Sequence, residues 1–179
     1  GNVFFFFFHR LDRPTSGVVV FARTSKALGR MNEMFSKHEV KKTYWAIVKN
    51  APKELSATLH HFLLRNEKQN KSYAYEVKKS SAKEAILSYE TIAKSDNYTL
   101  LSVDLQTGRH HQIRCQLAKI GSPIKGDLKY GAKRSNPDGG ISLHARSVEF
   151  LHPVTKQLLT IVAPVPNEPL WKEMENKAI

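Results

Sequence analysis

Several shortages in this sequence each exclude something. Cys115 is the only cysteine. An intramolecular disulfide is therefore impossible, a cysteine-based zinc site is disfavoured, and a reducing compartment such as the cytoplasm is indicated. No apolar run approaches the roughly 20 residues that a membrane span requires. Phe4–Phe8, five phenylalanines in a row, lacks the basic lead and the length of a secretory signal and reads as a buried strand. Neither a Walker-type loop nor a G-x-G-x-x-G loop is present, and no G-x-S-x-G elbow offers a serine nucleophile. Acidic residues are scarce: 16 Asp and Glu stand against 28 Lys and Arg, a net charge of +12.

A chain of 179 residues, 41% hydrophobic and 25% charged, suits a single globular domain with a sizeable core. The positive excess fits a phosphate-backbone partner. No amphipathic lipid-binding helix stands out, which favours nucleic acid over an anionic membrane.

The stretch His9-Arg10-Leu11-Asp12-Arg13-Pro14-Thr15-Ser16-Gly17 organises the rest. One carboxylate sits between two arginines ahead of a Thr-Ser-Gly turn, and the flanking cations favour its ionised form. Taken alone, Asp12 reads as a turn cap or surface ion pair. The alternative is a nucleophile or base aimed at a polyanionic substrate. The apolar run Val18–Ala22 that follows predicts a buried strand.

Downstream, Thr24-Ser25 can cap a helix over 26–37 carrying Ala27, Leu28, Met31 and Phe35 on its apolar face. Lys41–Val48 predicts a strand with Tyr44, Ala46 and Val48 on one face and Trp45 and Ile47 on the other. Strands are expected near 57–64 and 72–77 around an exposed tip at Arg65–Lys71. Others are expected near 84–93, 98–105, 142–150 and 158–163. His110–Ile120 predicts a helix stopped by Gly121 and Pro123, and a short helix from about Glu168 ends the chain. Many strands joined by short turns, with few helices, define an α+β domain built on a mixed, mainly antiparallel sheet.

Thr107-Gly108-Arg109-His110-His111-Gln112-Ile113-Arg114 gathers cations around a helix start, where anions are favoured. A metal site is disfavoured, because adjacent histidines on a helix diverge and no carboxylate accompanies them.

These motifs together resemble the RluA-type RNA pseudouridine synthases. The resemblance rests on H-R-L-D-x-x-T-S-G at 9–17, K-x-Y-x-A-x-V at 42–48 and T-G-R-x-H-Q-I-R at 107–114. It continues through Ile120-Gly121-x-Pro123-Ile124-x-Gly126-Asp127-x-x-Tyr130-Gly131, then Leu143-His144-Ala145 and His152-Pro153-x-Thr155. It runs from about residue 9 to residue 165 in the family's order. Gln116 departs from it, standing where the family commonly has histidine.

The resemblance implies one catalytic domain over 1–179, with further strands expected upstream of residue 1. It implies Asp12 as nucleophile, Arg114 as its ion-pair partner, and Tyr44 stacking on the base and serving in a proton step. Arg10, Arg13, Lys42, Arg109, His111 and Gln112 would contact RNA, with Arg10 occupying the space of a flipped uridine. No metal or organic cofactor is implied. The expected partner is ribosomal or transfer RNA, the expected location cytoplasmic and the expected state monomeric. Two other functions compete: a non-catalytic RNA-binding module using the same basic surface, and a glycosidase-like hydrolase. The hydrolase is disfavoured because no second carboxylate accompanies Asp12 in these motifs.

Overall fold

The computed structural model describes the backbone of residues 6–7 and all of residues 11–178. Most of the fold is one sheet. Its strands are β2 (Ser16–Gly17), β4 (Lys41–Val48), β5 (Ser56–Asn66), β6 (Lys71–Tyr75), β7 (Lys83–Lys94), β8 (Thr99–Leu105), β9 (Leu143–Leu151) and β10 (Leu158–Val162). The order is β10-β9-β4-β8-β7-β5-β6, with β2 lying parallel against β9 and every other pairing antiparallel. A separate two-stranded sheet joins β1 (Phe6–Phe7) to β3 (Phe21–Ala22). The α+β expectation therefore holds.

Both faces of the sheet are covered, as the alternation along β4 requires. Ala46 and Val48 face a core formed with Leu87, Leu101 and Val103, closed by Ile113 and Leu117 of α2 (Gln112–Lys119). Ile47 faces the opposite side with Leu100, where Trp171 and Met174 of α3 (Pro169–Ala178) close it. Pro169 opens α3, where a missing N–H leaves no helical bond unmade. The third cluster packs Met31 of α1 (Ser25–Ser36) against Val40, Val148 and Phe150. Thr24 caps α1, its hydroxyl accepting from the Ala27 N–H at 3.1 Å.

Two local expectations give way. Among the described residues Val18–Ala22 is not a continuous strand: β3 takes in Phe21–Ala22, while Val18 and Val20 are half-buried against the α1 cluster. Packing beneath a helix satisfies an apolar run as well as a sheet does. The second helix starts at Gln112 rather than His110, because His111 is left-handed at φ 53°. The Phe4–Phe8 strand expectation falls largely outside the described residues, which include only the backbone pairing of Phe6 and Phe7.

The Asp12 turn is pinned to this frame. The Thr15 N–H donates to the Asp12 carbonyl at 2.8 Å, and the Ile141 N–H donates to the Pro14 carbonyl at 3.1 Å. Ser16 and Gly17 then run along His144 and Ala145. Gly17 has φ 121°, and a Cβ there would lie 2.3 Å from the Ala145 carbonyl oxygen. Only glycine lets the two backbones approach this closely. Gly17→Ala is therefore expected to destabilise the protein by about 3 kcal/mol, measured as a lower urea midpoint at unchanged slope.

Candidate active site

A cleft of about 1310 Å³ opens over the ends of β4 and α2. Asp12, Lys42, Tyr44, Arg65, Arg109 and Arg114 all line it. These residues are far apart in sequence, and the sheet order brings them together.

Arg114 is the centre. It occupies the first turn of α2 and is 5% exposed. Its Nε donates to Asp127 Oδ2 at 2.7 Å and its Nη2 to Asp127 Oδ1 at 2.9 Å. Asp127 is 1% exposed. This two-point bond fixes the guanidinium plane. The remaining nitrogen, Nη1, lies 3.7 Å from Asp12 Oδ2. Arg114 thus serves two carboxylates, and its shorter bonds go to Asp127. Burial opposes the Arg114 charge, but the Asp127 bonds and the two negative charges more than offset it.

His111 Nε2 lies 3.8 Å from the same Asp12 oxygen. Its left-handed backbone costs on the order of 1 kcal/mol for a non-glycine residue. The His110 ring stacks on it at 3.7 Å, so the adjacent histidines do not diverge: both precede the helix. Burial, followed by the positive charge of Arg114, pushes His111 down to about 3. At neutral pH its contact with Asp12 is therefore that of a neutral ring. The other Asp12 oxygen, Oδ1, carries no ion pair within the described residues, and the side chain is 34% exposed.

Tyr44 stands on β4 beside an irregularity in the β4–β9 register between Thr43 and Tyr44. Such irregularities re-aim side chains near sites. Burial, then the Asp12 charge, pushes its phenol up to about 12, so the ring is neutral. Lys42 lies two residues earlier on the same face. Its ammonium packs over Phe35, 5.4 Å from the ring centroid, and burial lowers its pKa.

The other anticipated contacts divide. Arg109 is exposed at the cleft and its Nε donates to the Glu84 carbonyl at 2.8 Å. Arg13 is exposed but is not among the residues lining the cleft. Arg10 lies outside the described residues. Gln112 borders the cleft, yet its side chain is spent internally. Its Oε1 accepts from Thr107 Oγ1 at 2.8 Å and from the Arg109 N–H at 2.9 Å. Its Nε2 donates to the Ile86 carbonyl at 3.1 Å and to Gln116 Oε1 at 3.0 Å. It builds the loop that carries Arg109 and His111. Gln116 is fully buried, and its Nε2 donates to His61 Nδ1 at 2.9 Å and to the Ala85 carbonyl at 3.2 Å. The substitution of glutamine at this position is fully accommodated without touching Asp12.

Sequence reasoning treated Asp127 as turn chemistry and gave Ser16 and His144 no role. Asp127 aims Arg114, and its place in the Gly126-Asp127-x-x-Tyr130 string was the available signal. Ser16 and His144 lock the Asp12 turn onto β9 at 2.8 Å. His144 Nε2 faces the Ala163 carbonyl at 3.3 Å, which can only accept, so Nδ1 accepts from the Ser16 hydroxyl.

The chain can now be compared with known proteins. Residues 2–119 match the family model described as RNA pseudouridylate synthase. The fold is that of human RNA pseudouridylate synthase domain containing 4, with a TM-score of 0.78 at 22% identity over 97% of this chain and 76% of that one. Human RNA pseudouridylate synthase domain containing 1 gives a TM-score of 0.77 at 24% identity, over 93% and 71%. Among curated proteins, the tRNA pseudouridine synthase C of Vibrio cholerae is 34% identical over 87% of this chain and 70% of its own. The ribosomal large subunit pseudouridine synthase D of Xylella fastidiosa is 36% identical over 89% of this chain and 51% of its own. An RNA pseudouridine synthase of Synechocystis is 31% identical over 88% and 49%. The chain therefore spans about half the length of the last two relatives, 51% and 49%. The matched fold and motifs define a class of RNA-modifying isomerases. The chain belongs to the RNA pseudouridylate synthase family, in its RluA-type branch.

Two outcomes are expected from this geometry. Asp127→Ala would leave a buried guanidinium without its main partner, at a cost of about 3 kcal/mol or more, measured by urea denaturation. Burial also lowers the pKa of His61, His110, His111 and His144. The unfolded chain then binds their protons first, from about pH 6.5 downward. Unfolding free energy should fall as pH drops from about 7 to 5, and more shallowly in His111→Gln than in the wild type.

Proposed function

We propose that this protein is an RNA pseudouridine synthase acting in the cytoplasm, as a monomer, on transfer or ribosomal RNA. It isomerises a uridine to pseudouridine, with Asp12 as the reacting carboxylate. The observation that carries this reading is the state of Asp12. Oδ2 lies 3.7 Å from Arg114 and 3.8 Å from His111, while Oδ1 carries no ion pair among the described residues, in a cleft bordered by cations.

The reaction moves the bond between C1′ of the ribose and the base from N1 to C5. Asp12 either attacks C1′, releasing N1, or removes the 2′ proton to give a glycal. In both routes the base turns while bound and C5 bonds to C1′, displacing Asp12 in the first route and returning the 2′ proton in the second; the C5 proton then leaves to solvent and N1 takes one up. The cleft exceeds the roughly 300–1,000 Å³ common for small-ligand sites, which suits a flipped nucleotide with its flanking phosphates. Lys42, Arg65 and Arg109 would meet those phosphates, joined by Arg10 and Arg13, which flank Asp12 in sequence. Tyr44, as a neutral phenol, suits stacking on the base better than accepting a proton. Arg114 would hold the carboxylate in place. The domain over 1–179 supplies all these groups.

The test is tritium release from RNA labelled at uridine C5. Asp12→Ala should reduce release by about 10³-fold or more while RNA affinity stays within about threefold. Equal, absent release from both proteins with RNA bound would instead favour the binding-module reading.

A further inference from the structure

Tyr130 follows the Gly126-Asp127 turn, and the reaction above assigns it nothing. It is buried beneath Arg114, whose guanidinium carbon lies 5.0 Å from the ring centroid. It also meets the His111 ring edge-on at 5.6 Å. Its hydroxyl stands between two groups. The Ser72 backbone N–H donates to it at 2.8 Å, and His111 Nδ1 lies 2.9 Å away.

The donor and acceptor roles along this chain are forced. A peptide N–H can only donate, so the phenolic oxygen accepts from Ser72. The phenol hydrogen then has His111 Nδ1 as its acceptor. A proton on Nδ1 would leave that buried hydrogen unpaired, at a penalty that buried polar groups rarely carry. The imidazole proton therefore sits on Nε2, the atom facing Asp12 Oδ2 at 3.8 Å. The carboxylate favours the same tautomer from the other side.

We propose that Tyr130 is a positioning residue: it fixes His111 as the neutral Nε2–H tautomer and, through His111 and Arg114, aims Asp12 so that Oδ1 is the reacting oxygen. The inference rests on the Asp12 reaction proposed above. The groups around His111 agree with it. Arg114 on α2, His110 in the preceding loop, Lys129 in the 3-10 turn (Leu128–Tyr130) and Arg65 on β5 all oppose a charged ring. Asp12, 3.8 Å from Nε2, would favour one. An imidazolium there would compete with the reaction for the carboxylate's electrons.

The same chain ties the aim of Asp12 to the β5–β6 arm. Ser72 belongs to β6, and its hydroxyl donates to the His110 carbonyl at 2.9 Å. Lys129 Nζ donates to the Asn70 carbonyl at 3.0 Å and the Gln69 carbonyl at 3.2 Å, at the arm's tip. Tyr130 and its neighbour are thus both fastened to the arm.

The test uses Tyr130→Phe, which keeps the ring under Arg114 and removes only the oxygen. A long-range proton–nitrogen spectrum of the 15N-labelled wild type reads the tautomer of each histidine, with the His111 signal assigned by its loss in His111→Gln. We expect His111 as Nε2–H in the wild type and a shift toward Nδ1–H in Tyr130→Phe. Tritium release by Tyr130→Phe should fall about tenfold in kcat, the worth of one lost hydrogen bond, with KM for RNA within about twofold. An Nδ1–H or charged His111 in the wild type overturns the proposal without any need of the variant. So does a Tyr130→Phe protein with unchanged kcat. A wild type that shows the Nε2–H signal but releases no tritium sinks the reaction assigned to Asp12, and with it the aiming role, while the tautomer stands.

Discussion

The arrangement depends on a buried arginine held by a buried carboxylate. Moving either charge out of water alone would cost several kcal/mol. Paired through two hydrogen bonds, Arg114 and Asp127 are tolerable, and the pair is rigid in a way that a lysine contact would not be. That rigidity fixes where the third guanidinium nitrogen points, and Asp12 sits at that point. The surrounding structure delivers the two partners. Arg114 comes from the first turn of α2, whose Ile113 and Leu117 are locked into the sheet core. Asp127 comes from a turn in which Gly126 has φ 85° and a Cβ would lie 2.6 Å from the Asn136 side chain.

Asp12 itself is on a loop, and a loop alone does not hold a carboxylate to a fraction of an ångström. The frame for it is β9. Ser16 bonds His144, Gly17 lies flat on Ala145, and the Val18 N–H donates to the Ala145 carbonyl at 2.9 Å. The same strand pairs with β4, which carries Lys42 and Tyr44. The Asp12 turn, Tyr44 and Lys42 are thus tied to two neighbouring strands of the sheet, and their spacing is set by strand register rather than by loop conformation.

Much of this was legible in the sequence because it depends on local periodicity. The alternation of Tyr44, Ala46 and Val48 against Trp45 and Ile47 reads directly as two covered faces, and Thr24 reads as a cap. The string around Asp12 and the one ending at Arg114 marked stretches that the fold brings to one cleft. What escaped depends on tertiary partners. Val18 and Val20 carry strand propensity but lie half-buried against the α1 cluster, outside the named strands. Gln112 looks like a ligand-contacting amide until its four internal bonds are counted. Asp127 looks like turn chemistry because nothing near it in sequence shows that an arginine 13 residues earlier is aimed at it.

The charge count around Asp12 bears on how a carboxylate can stay reactive in so basic a protein. The net charge of the chain is +12, yet the immediate set of Asp12, Asp127, Arg114 and a neutral His111 sums to −1. One cation divided between two carboxylates, with its shorter bonds turned away from Asp12, attracts the carboxylate without saturating it. A second full positive charge at His111 would bury the electron density that the proposed reaction needs, and burial of that ring prevents it. Lys42, Arg65 and Arg109, which carry no ion pair among the described residues, stand elsewhere around the cleft, where phosphates rather than Asp12 would neutralise them. In the proposed reaction the basic surface and Asp12 would therefore work on different parts of one polyanion, and the sharing of Arg114 between Asp12 and Asp127 would keep them apart.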